Sequence, residues 1–229
     1  MKINKKIVGI LKKLRSLLLN NKLTKKKIKK LIGTSNPVIF EIGSANGDDT
    51  LDFIKTFKDT NLKIFGFEPE PKNIEILKDR IKDKNFMLFE GVVSDTDGEL
   101  IFNRSRADNP DDLSFSGSIM KPKNHLKIWD WIYFDEKMPV KSITLDSFTK
   151  NLSLNVIDFL WCDVQGAEEK VIIGGDKTFR EKVRFLYTEY SNREEYEGQP
   201  TLKRILELLP TFEVIKDYGG DVLLKNKNL

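Results

Sequence analysis

Residues 38–48 read VIFEIGSANGD, and residues 64–69 read IFGFEP. Each stretch begins with an apolar run of the length of one buried strand. The first run passes into a loop that contains Gly43 and Gly47, and the second ends at the acidic residue Glu68. A gap long enough for one helix separates the two runs, as in a parallel β-α-β unit. The two stretches therefore predict a parallel α/β sheet with a ligand-binding loop after its first strand.

The spacing between the glycine loop and the acidic residue indicates the class of ligand. Glu68 follows Gly47 by 21 residues, which suits an acid that accepts hydrogen bonds from ribose hydroxyls at the end of strand two. A dinucleotide would need glycine at Ala45 and a small residue at Asp48, where a carboxylate would repel the pyrophosphate. S-adenosylmethionine carries a sulfonium cation and no phosphate, so acidic neighbours such as Glu41 suit it better. We therefore expect S-adenosylmethionine as the cofactor.

The rest of the chain alternates apolar runs with helix-length segments. Further strands are expected over 86–92, 99–102, 156–162, 183–189, 212–215 and 222–224. Helices are expected after residue 48, over 73–81 and 202–209, and through Val171, Ile172 and Ile173. The polar segment 103–138 breaks this rhythm, so no regular elements are expected in it. The alternation predicts a Rossmann-like α/β fold: a mostly parallel sheet with helices on both faces and a C-terminal antiparallel hairpin.

Composition excludes several classes of protein. The 229 residues include one cysteine, Cys162, and one histidine, His125, which excludes an intramolecular disulfide and a multi-cysteine or multi-histidine metal site. No apolar run approaches the ~20 residues that span a bilayer, and no signal-peptide pattern opens the chain. We expect a cytoplasmic protein.

Basic residues are concentrated at the start of the chain. Residues 1–33 hold twelve Lys or Arg and no acid, whereas the remaining 196 residues hold 27 basic and 35 acidic side chains. Apolar residues at helical spacing between Ile3 and Leu18 predict an amphipathic basic helix, and a second helix is expected between Thr24 and Gly33. This leader (1–33) either docks on the body (34–229) or another subunit, or contacts the inner face of a membrane; nucleic acid is the weakest alternative because stacking aromatic residues are absent.

Three blocks of sequence resemble the FkbM-type family of S-adenosylmethionine-dependent methyltransferases. They are EIGSANG at 41–47, GFEPEPKN at 66–73 and DFLWCDVQGAE at 158–168. The likeness spans about residues 37–224, with departures at Glu41, where the family has Asp, and at Gln165, where it more often has Glu. The resemblance implies a seven-stranded methyltransferase sheet and methyl transfer, usually to a hydroxyl of a sugar, glycan or natural product. It also implies a set of cofactor-binding residues: Glu41, Gly43, Ser44, Asn46, Gly47, Glu68, Pro69, Ser94 and Asp163.

Two residues are candidates for the general base that accepts the proton of the acceptor hydroxyl. Asp163 ends a central strand beside the cofactor loop, although a carboxylate there can also cap the helix that follows. His125 has a suitable unperturbed pKa, but a lone histidine is more often a packing residue. Asp163, Glu168 and Glu189 form a weaker candidate for a Mg²⁺ site, because Mg²⁺ prefers carboxylate oxygens.

The segment 103–138 is the expected acceptor-binding insertion. Its Trp129 and Trp131 can stack on a sugar ring or, alternatively, form a local apolar core. Glu189 is a further candidate to bind the acceptor. The expected partner is therefore a saccharide or glycan, with a lipid-linked or small natural-product acceptor as the alternative; a scaffold that binds the cofactor without turnover is the non-enzymatic alternative. Motifs of DNA methyltransferases are missing, so no nucleic acid is expected, and the sequence does not indicate an oligomeric state.

Overall fold

The computed structural model of the protein describes residues 23–108, 115–150, 152 and 154–229. The predicted amphipathic helix between Ile3 and Leu18 lies outside these residues. Within them the elements follow in this order: α1 (Lys25–Ile32), β1 (Val38–Ile42), α2 (Asp48–Thr56), β2 (Lys63–Glu68), α3 (Pro71–Arg80), β3 (Phe86–Glu90), β4 (Val92–Val93), β5 (Gly98–Ala107), α4 (His125–Ile128), β6 (Ile132–Ile143), α5 (Leu145–Lys150), β7 (Ile157–Cys162), α6 (Glu168–Gly174), α7 (Asp176–Glu181), β8 (Val183–Glu189), α8 (Leu202–Leu208), β9 (Phe212–Asp217) and β10 (Asp221–Asn226).

Seven strands form the main sheet, in the order β3-β2-β1-β7-β8-β10-β9. The pairs from β3 to β8 are parallel, whereas β10 runs antiparallel to both β8 and β9. The last strand in the chain is therefore inserted beside β8, and β9 forms the edge. The predicted fold class, a mostly parallel seven-stranded sheet with a C-terminal antiparallel hairpin, is confirmed.

The apolar runs are buried on both faces of this sheet, because successive side chains of a strand point to opposite sides. Phe40 and Leu160 pack against one layer of helices, and the neighbouring Ile39 and Phe159 pack against the other. All five residues of β1 are buried. Continuous apolar strands with this burial are typical of parallel sheets.

Helix α1 belongs to the second of these layers. Thr24 caps its start by accepting a hydrogen bond from the backbone N–H of Lys27, and Gly33 ends it in a left-handed conformation. Ile28 and Ile32 are buried in the same cluster as Phe53 of α2. The second predicted helix of the leader is thus present, and it covers one face of the sheet. No helix within the described ranges has the length and apolar character needed to cross a membrane.

A second sheet, in the order β4-β6-β5, stands beside the main one. Its strands β5 and β6 form a long antiparallel hairpin, which we call the arm. The expectation of a short strand over 99–102 and no regular elements over 103–138 was wrong, because β5 continues to Ala107 and β6 begins at Ile132. The arm is half-exposed and mixes charged, polar and apolar residues, so its sequence lacks the continuous apolar run that identified the buried strands.

Candidate active site

A first cavity lies at the carboxyl ends of β1, β2 and β7, where open α/β sheets bind their ligands. The loop after β1, the segment after β2, the turn between β3 and β4, the arm and the loop after β7 all contribute to its wall. The residues on which the following description depends are Gly43, Ala45, Glu68, Pro69, Glu70, Asn73, Phe102 and Asp163.

Two glycines allow the loop after β1 to pack closely against its neighbours. Gly43 has φ = +92°, and a Cβ atom there would lie 1.9 Å from the backbone oxygen of Asp163. Gly47 has φ = +81°, and a Cβ atom there would lie 2.7 Å from Leu77 Cδ2 of α3. Both positions therefore need glycine for its positive φ as well as for its size. The loop consequently lies directly against Asp163 after β7 and against α3.

Glu68, at the end of β2, links three parts of the wall of the first cavity by hydrogen bonds. Its carboxylate accepts hydrogen bonds from the backbone N–H of Ala45 at 2.8 Å, from that of Glu70 at 2.9 Å and from Asn73 Nδ2 at 3.2 Å. A carboxylate offers about four acceptor positions, so these bonds leave room for a ligand hydroxyl. Burial raises the pKa of Glu68 to about 7, against the opposing effect of these three donors.

The arm closes the first cavity from the side opposite the glycine loop. Phe102 of β5 contributes to its wall, together with residues 117–119. Two positions further along β5, the Arg104 guanidinium donates to both carboxylate oxygens of Glu70, at 2.6 and 2.9 Å. This fork ties the arm to the residue that itself donates to Glu68. Sequence patterns do not reveal this contact, because the two residues are 34 positions apart.

Asp163 lies at the end of β7 in a loop with an unusual backbone. Gln165 has φ = +54° and donates from Nε2 to Asp163 Oδ1 at 2.7 Å. Gly166 follows with φ = +91°, and the ring of the buried Tyr196 fills the space that a Cβ atom would need. Beneath the loop, the buried Glu168 accepts hydrogen bonds from the backbone N–H groups of Val164 and Gly166, both at 3.3 Å. This loop fixes the position of the Asp163 carboxyl.

A second cavity, of about 850 Å³, lies on the other side of Asp163. The aromatic side chains Trp161, Tyr187 and Tyr218 line it; the ring centroids of the first two are 4.5 Å apart, and those of the last two are 5.9 Å apart. Five carboxyl side chains also line it: Asp49, Asp52, Asp163, Glu189 and Asp221. Asp163 borders both cavities. This residue therefore lies where a ligand in one cavity would meet a ligand in the other.

Lys25 of α1 closes one end of the second cavity. Its side chain is 9% exposed, and its Nζ lies 2.7 Å from Asp49 and 3.3 Å from the centroid of the Trp161 ring. Burial lowers the pKa of Lys25, and the charge of Asp49 opposes this effect. The lysine thus supports the indole face and neutralises one of the five carboxylates. Helix α1 is therefore part of the wall of this cavity.

The carboxyl groups near Asp163 influence one another. Burial raises the pKa of Asp163, and Asp221 raises it further, whereas the hydrogen bond from Gln165 lowers it. Burial, followed by the charges of Asp163, Glu168 and Asp221, raises the pKa of Glu189 to about 10. Burial raises the pKa of Glu168 to about 7. In the part of the chain that the structure describes, no group of three acidic, His or Cys side chains is arranged to hold a metal ion, and Asp163, Glu168 and Glu189 do not form one.

Four residues of the predicted cofactor-binding set have side chains that form hydrogen bonds within the protein. The buried Glu41 carboxyl accepts a hydrogen bond from the Thr50 hydroxyl of α2. Ser44 donates to the backbone oxygen of Glu41, and Asn46 donates to Asp48. The hydroxyl of the buried Ser94 donates to Asp95 at 3.0 Å. Of the remaining predicted residues, Gly43, Glu68, Pro69 and Asp163 line the first cavity.

The predicted residues of the insertion lie away from both cavities. His125 is 3% exposed, and its ring packs against Phe134 and Tyr196, each with a centroid distance of 5.3 Å. Burial lowers the pKa of His125. Trp129 and Trp131 are 43% and 45% exposed and contact each other edge-to-face. The histidine thus packs in an aromatic cluster, and the two tryptophans lie on the surface.

Fold and site together define a Rossmann-like methyltransferase: a seven-stranded sheet with one reversed strand, a glycine loop after β1 and an acid at the end of β2. A model of the methyltransferase FkbM domain matches residues 41–220 of the chain. The chain belongs to the FkbM methyltransferase family. The predicted enzyme class, an S-adenosylmethionine-dependent methyltransferase, is thereby confirmed.

Individual proteins show the same likeness. The 2-O-methyltransferase NoeI of Sinorhizobium fredii (strain NBRC 101917 / NGR234) is 40% identical over 210 residues, which cover 89% of this chain and 85% of the relative. The crystal structure of the methyltransferase FkbM from Methylobacillus flagellatus KT superposes with a TM-score of 0.51 at 11% identity, over 83% of this chain and 44% of that chain. Our chain thus spans less than half the length of that solved protein. Aeropyrum pernix fibrillarin with natively bound S-adenosyl-L-methionine superposes with a TM-score of 0.45 at 14% identity, over 85% of this chain and 67% of that chain.

Proposed function

We propose that this chain transfers a methyl group from S-adenosylmethionine to a hydroxyl oxygen of a sugar or glycan. The observation that carries the proposal is the position of Asp163, which borders the cavity beside Glu68 and the cavity lined by aromatic and carboxyl side chains. A methyltransferase needs its donor and acceptor on either side of a single point. The likeness to the 2-O-methyltransferase NoeI of Sinorhizobium fredii supports an oxygen acceptor.

The residues of the first cavity fit S-adenosylmethionine. Glu68 keeps acceptor capacity for ribose hydroxyls, and Gly43 lets the loop after β1 lie against the backbone of Asp163 at the border of the cavity. Glu70, Pro69 and Asn73 line the same end of the cavity. When bound there, S-adenosylmethionine supplies a methyl group on a positively charged sulfur. The partly negative surroundings of Asp163 suit that charge.

Asp163 is the residue that we propose as general base. Its carboxyl accepts a hydrogen bond from Gln165, which fixes it at the border of the two cavities. A hydroxyl placed beside it would pass its proton to the carboxylate as the oxygen attacks the methyl carbon. The raised pKa of Asp163 brings this carboxyl closer to the working range of a base at neutral pH than an ordinary aspartate.

Calorimetry and a methyl-transfer assay test this function together. We expect the full chain to bind S-adenosylmethionine and its demethylated product, and to methylate at least one member of a panel of glycosides and oligosaccharides. Loss of binding to both nucleosides would overturn the cofactor site. Binding without transfer to any acceptor would favour a scaffold, and transfer to lipid-linked or natural-product acceptors alone would replace the sugar acceptor by those compounds.

A further inference from the structure

We propose that the second cavity accepts a sugar unit that carries no negative charge beside the reacting hydroxyl, and that it discriminates against the same unit bearing a phosphate. This inference rests on the proposed function, because it assigns the acceptor to the cavity that Asp163 shares with the cofactor side. Three features of the cavity support it. The floor is aromatic, and carboxyl groups outnumber cationic groups in the wall. Of the two cationic groups, Lys25 is paired with Asp49 and Lys26 is exposed to solvent.

The floor offers aromatic surface beside Asp163, with the Lys25 ammonium over one face of the Trp161 ring. Trp161 and Tyr187 face each other across β7 and β8, and Tyr218 follows from the turn between β9 and β10. Sites for small ligands combine such surfaces with a few polar groups that fix orientation. The apolar face of a sugar ring suits the aromatic rings, and its hydroxyls suit the carboxyls at the rim. A cavity of about 850 Å³ has room for one or two sugar units.

The charges around the floor oppose an anion. Among the described residues that line the cavity, five are Asp or Glu and two are Lys, and none is the arginine typical of phosphate sites. Lys25 is already paired with Asp49 at 2.7 Å and lies over the Trp161 ring. Lys26 is exposed to solvent. The raised pKa of Glu189 keeps its carboxyl neutral near pH 7, so a phosphate would meet Asp49, Asp52, Asp163 and Asp221. Of the two lysines, Lys25 is already paired with Asp49, so carboxylates outnumber the available cations.

The negative charge of Asp221 acts on several neighbouring side chains. Its charge contributes to the raised pKa of Asp163 and Glu189, and to the raised pKa of Tyr187 and Tyr218. Asp221 begins β10, where it pairs in register with Glu189 of β8. The negative electrostatic potential of Asp221 therefore extends over both the aromatic floor and the residue proposed as general base. An anionic substituent on the acceptor would have to lie within it.

This preference places the enzyme in a sequence of reactions. A sugar 1-phosphate or a nucleotide sugar carries its negative charge beside the ring, whereas a sugar already joined to another molecule through a neutral glycosidic bond does not. The class of reaction that supplies the acceptor is accordingly glycosyl transfer, which releases the charged leaving group before methylation takes place.

The test compares pairs of acceptors with the full chain. Methyl hexosides and the corresponding hexose 1-phosphates serve as neutral and anionic probes, and the ratio of their kcat/KM values is the readout. We expect the neutral member to be preferred by about tenfold or more, a factor that corresponds to ~1.4 kcal/mol. Raising the salt concentration should reduce the ratio, because salt screens exposed charges.

The variant Asp221→Asn probes the source of the preference, and Glu213→Gln is its matched control, since Glu213 is exposed on β9 of the same hairpin. We expect Asp221→Asn to lower the ratio severalfold and Glu213→Gln to leave it unchanged. Equal efficiency on neutral and anionic probes with the unmodified chain would overturn this inference while the proposed function stands. Failure to methylate either probe or any other sugar, with the cofactor still bound, would overturn the proposed function and this inference with it.

Discussion

At the scale of the residue, Asp163 joins the two halves of the site. Its carboxyl borders both cavities, and its backbone oxygen lies so close to Gly43 that only a residue without a Cβ atom fits there. One residue therefore couples the shape of the cofactor loop to the position of the proposed base. Two substitutions separate these roles.

Asp163→Asn removes the proton acceptor but keeps the size of the side chain. We expect kcat to fall by about 10²- to 10⁴-fold, the range typical of a lost general base. The dissociation constant for S-adenosylmethionine should change by less than ~3-fold, since the amide keeps the contact with Gln165. Single-turnover kinetics and calorimetry provide the two numbers. A variant with nearly unchanged kcat would show that another group accepts the proton.

Gly43→Ala tests the close approach itself. Gly98→Ala is the matched control. Gly98 also has a positive φ, +124°, but no atom lies within 4 Å of the position that its Cβ would take. Both substitutions carry the backbone cost of about 1 kcal/mol, and the alanine at position 43 must in addition displace the loop after β7. We expect a larger fall in Tm and loss of cofactor binding for Gly43→Ala. Equal falls in Tm, with cofactor binding retained in both, would show that the two loops move apart without consequence.

The sequence predicted some residues of the site and not the direction of their side chains. Gly43 and Glu68 were identified because their spacing along the chain is fixed by the β-α-β unit. Glu41 and Ser44 belong to the same motif, yet their side chains form hydrogen bonds within the protein. Alternation along a strand and the turn of a loop decide which side chain reaches a ligand, and a motif alone does not state this.

At the scale of the element, the arm is the main feature that pattern reading missed. The apolar run that begins at Val38 and the strand expected over 183–189 correspond to β1 and β8, because buried strands carry mostly apolar residues. Strand β5 has polar and charged residues on much of its length and is partly exposed, so its pattern resembles a loop. The aromatic floor was missed for a related reason. Trp161, Tyr187 and Tyr218 come from three parts of the chain that only the order of the sheet brings together.

The arm also offers a prediction about cofactor affinity. Arg104→Met removes the fork to Glu70, and Arg106→Met is a matched control because Arg106, two positions along the same strand, forms a similar fork with the exposed Asp135. We expect Arg104→Met to weaken S-adenosylmethionine binding by about 3- to 10-fold, because it loosens the segment that donates to Glu68. Calorimetry on both variants measures the difference. Equal effects of the two substitutions would assign the arm a purely structural role.

At the scale of the whole molecule, buried carboxyl groups set how stability depends on pH. Burial raises the pKa of Glu41 to about 8, and of Glu68 and Glu168 to about 7, above the ordinary value of about 4.5. The folded protein therefore binds more protons than the unfolded chain between pH 4.5 and 8, and its stability falls as the pH rises through that range. Salt-bridged carboxyls such as Asp48 and Asp95 have a lowered pKa and act in the opposite direction. They stabilise the folded protein at neutral pH, and this stabilisation is lost as the pH falls into the acid range.

Thermal unfolding at a series of pH values tests this balance. We expect Tm of the protein without cofactor to be several degrees lower at pH 8.5 than at pH 6, given ~2–4 °C per kcal/mol for a chain of this size. Glu41→Gln should flatten that slope, whereas Glu99→Gln, at an exposed position, should not change it. A Tm that rises steadily from pH 6 to 8.5 would contradict the assignment.

The insertion of β10 between β8 and β9 has a consequence for biosynthesis. Strands β8 and β9 are synthesised before β10, which pairs with both of them in the sheet. Neither strand can form this pairing until β10 has left the ribosome. The nascent protein therefore exposes unpaired strand edges until β10 has emerged, and molecular chaperones bind such surfaces. Because Asp221 begins β10 and lines the second cavity, that cavity is completed at the same moment as the sheet.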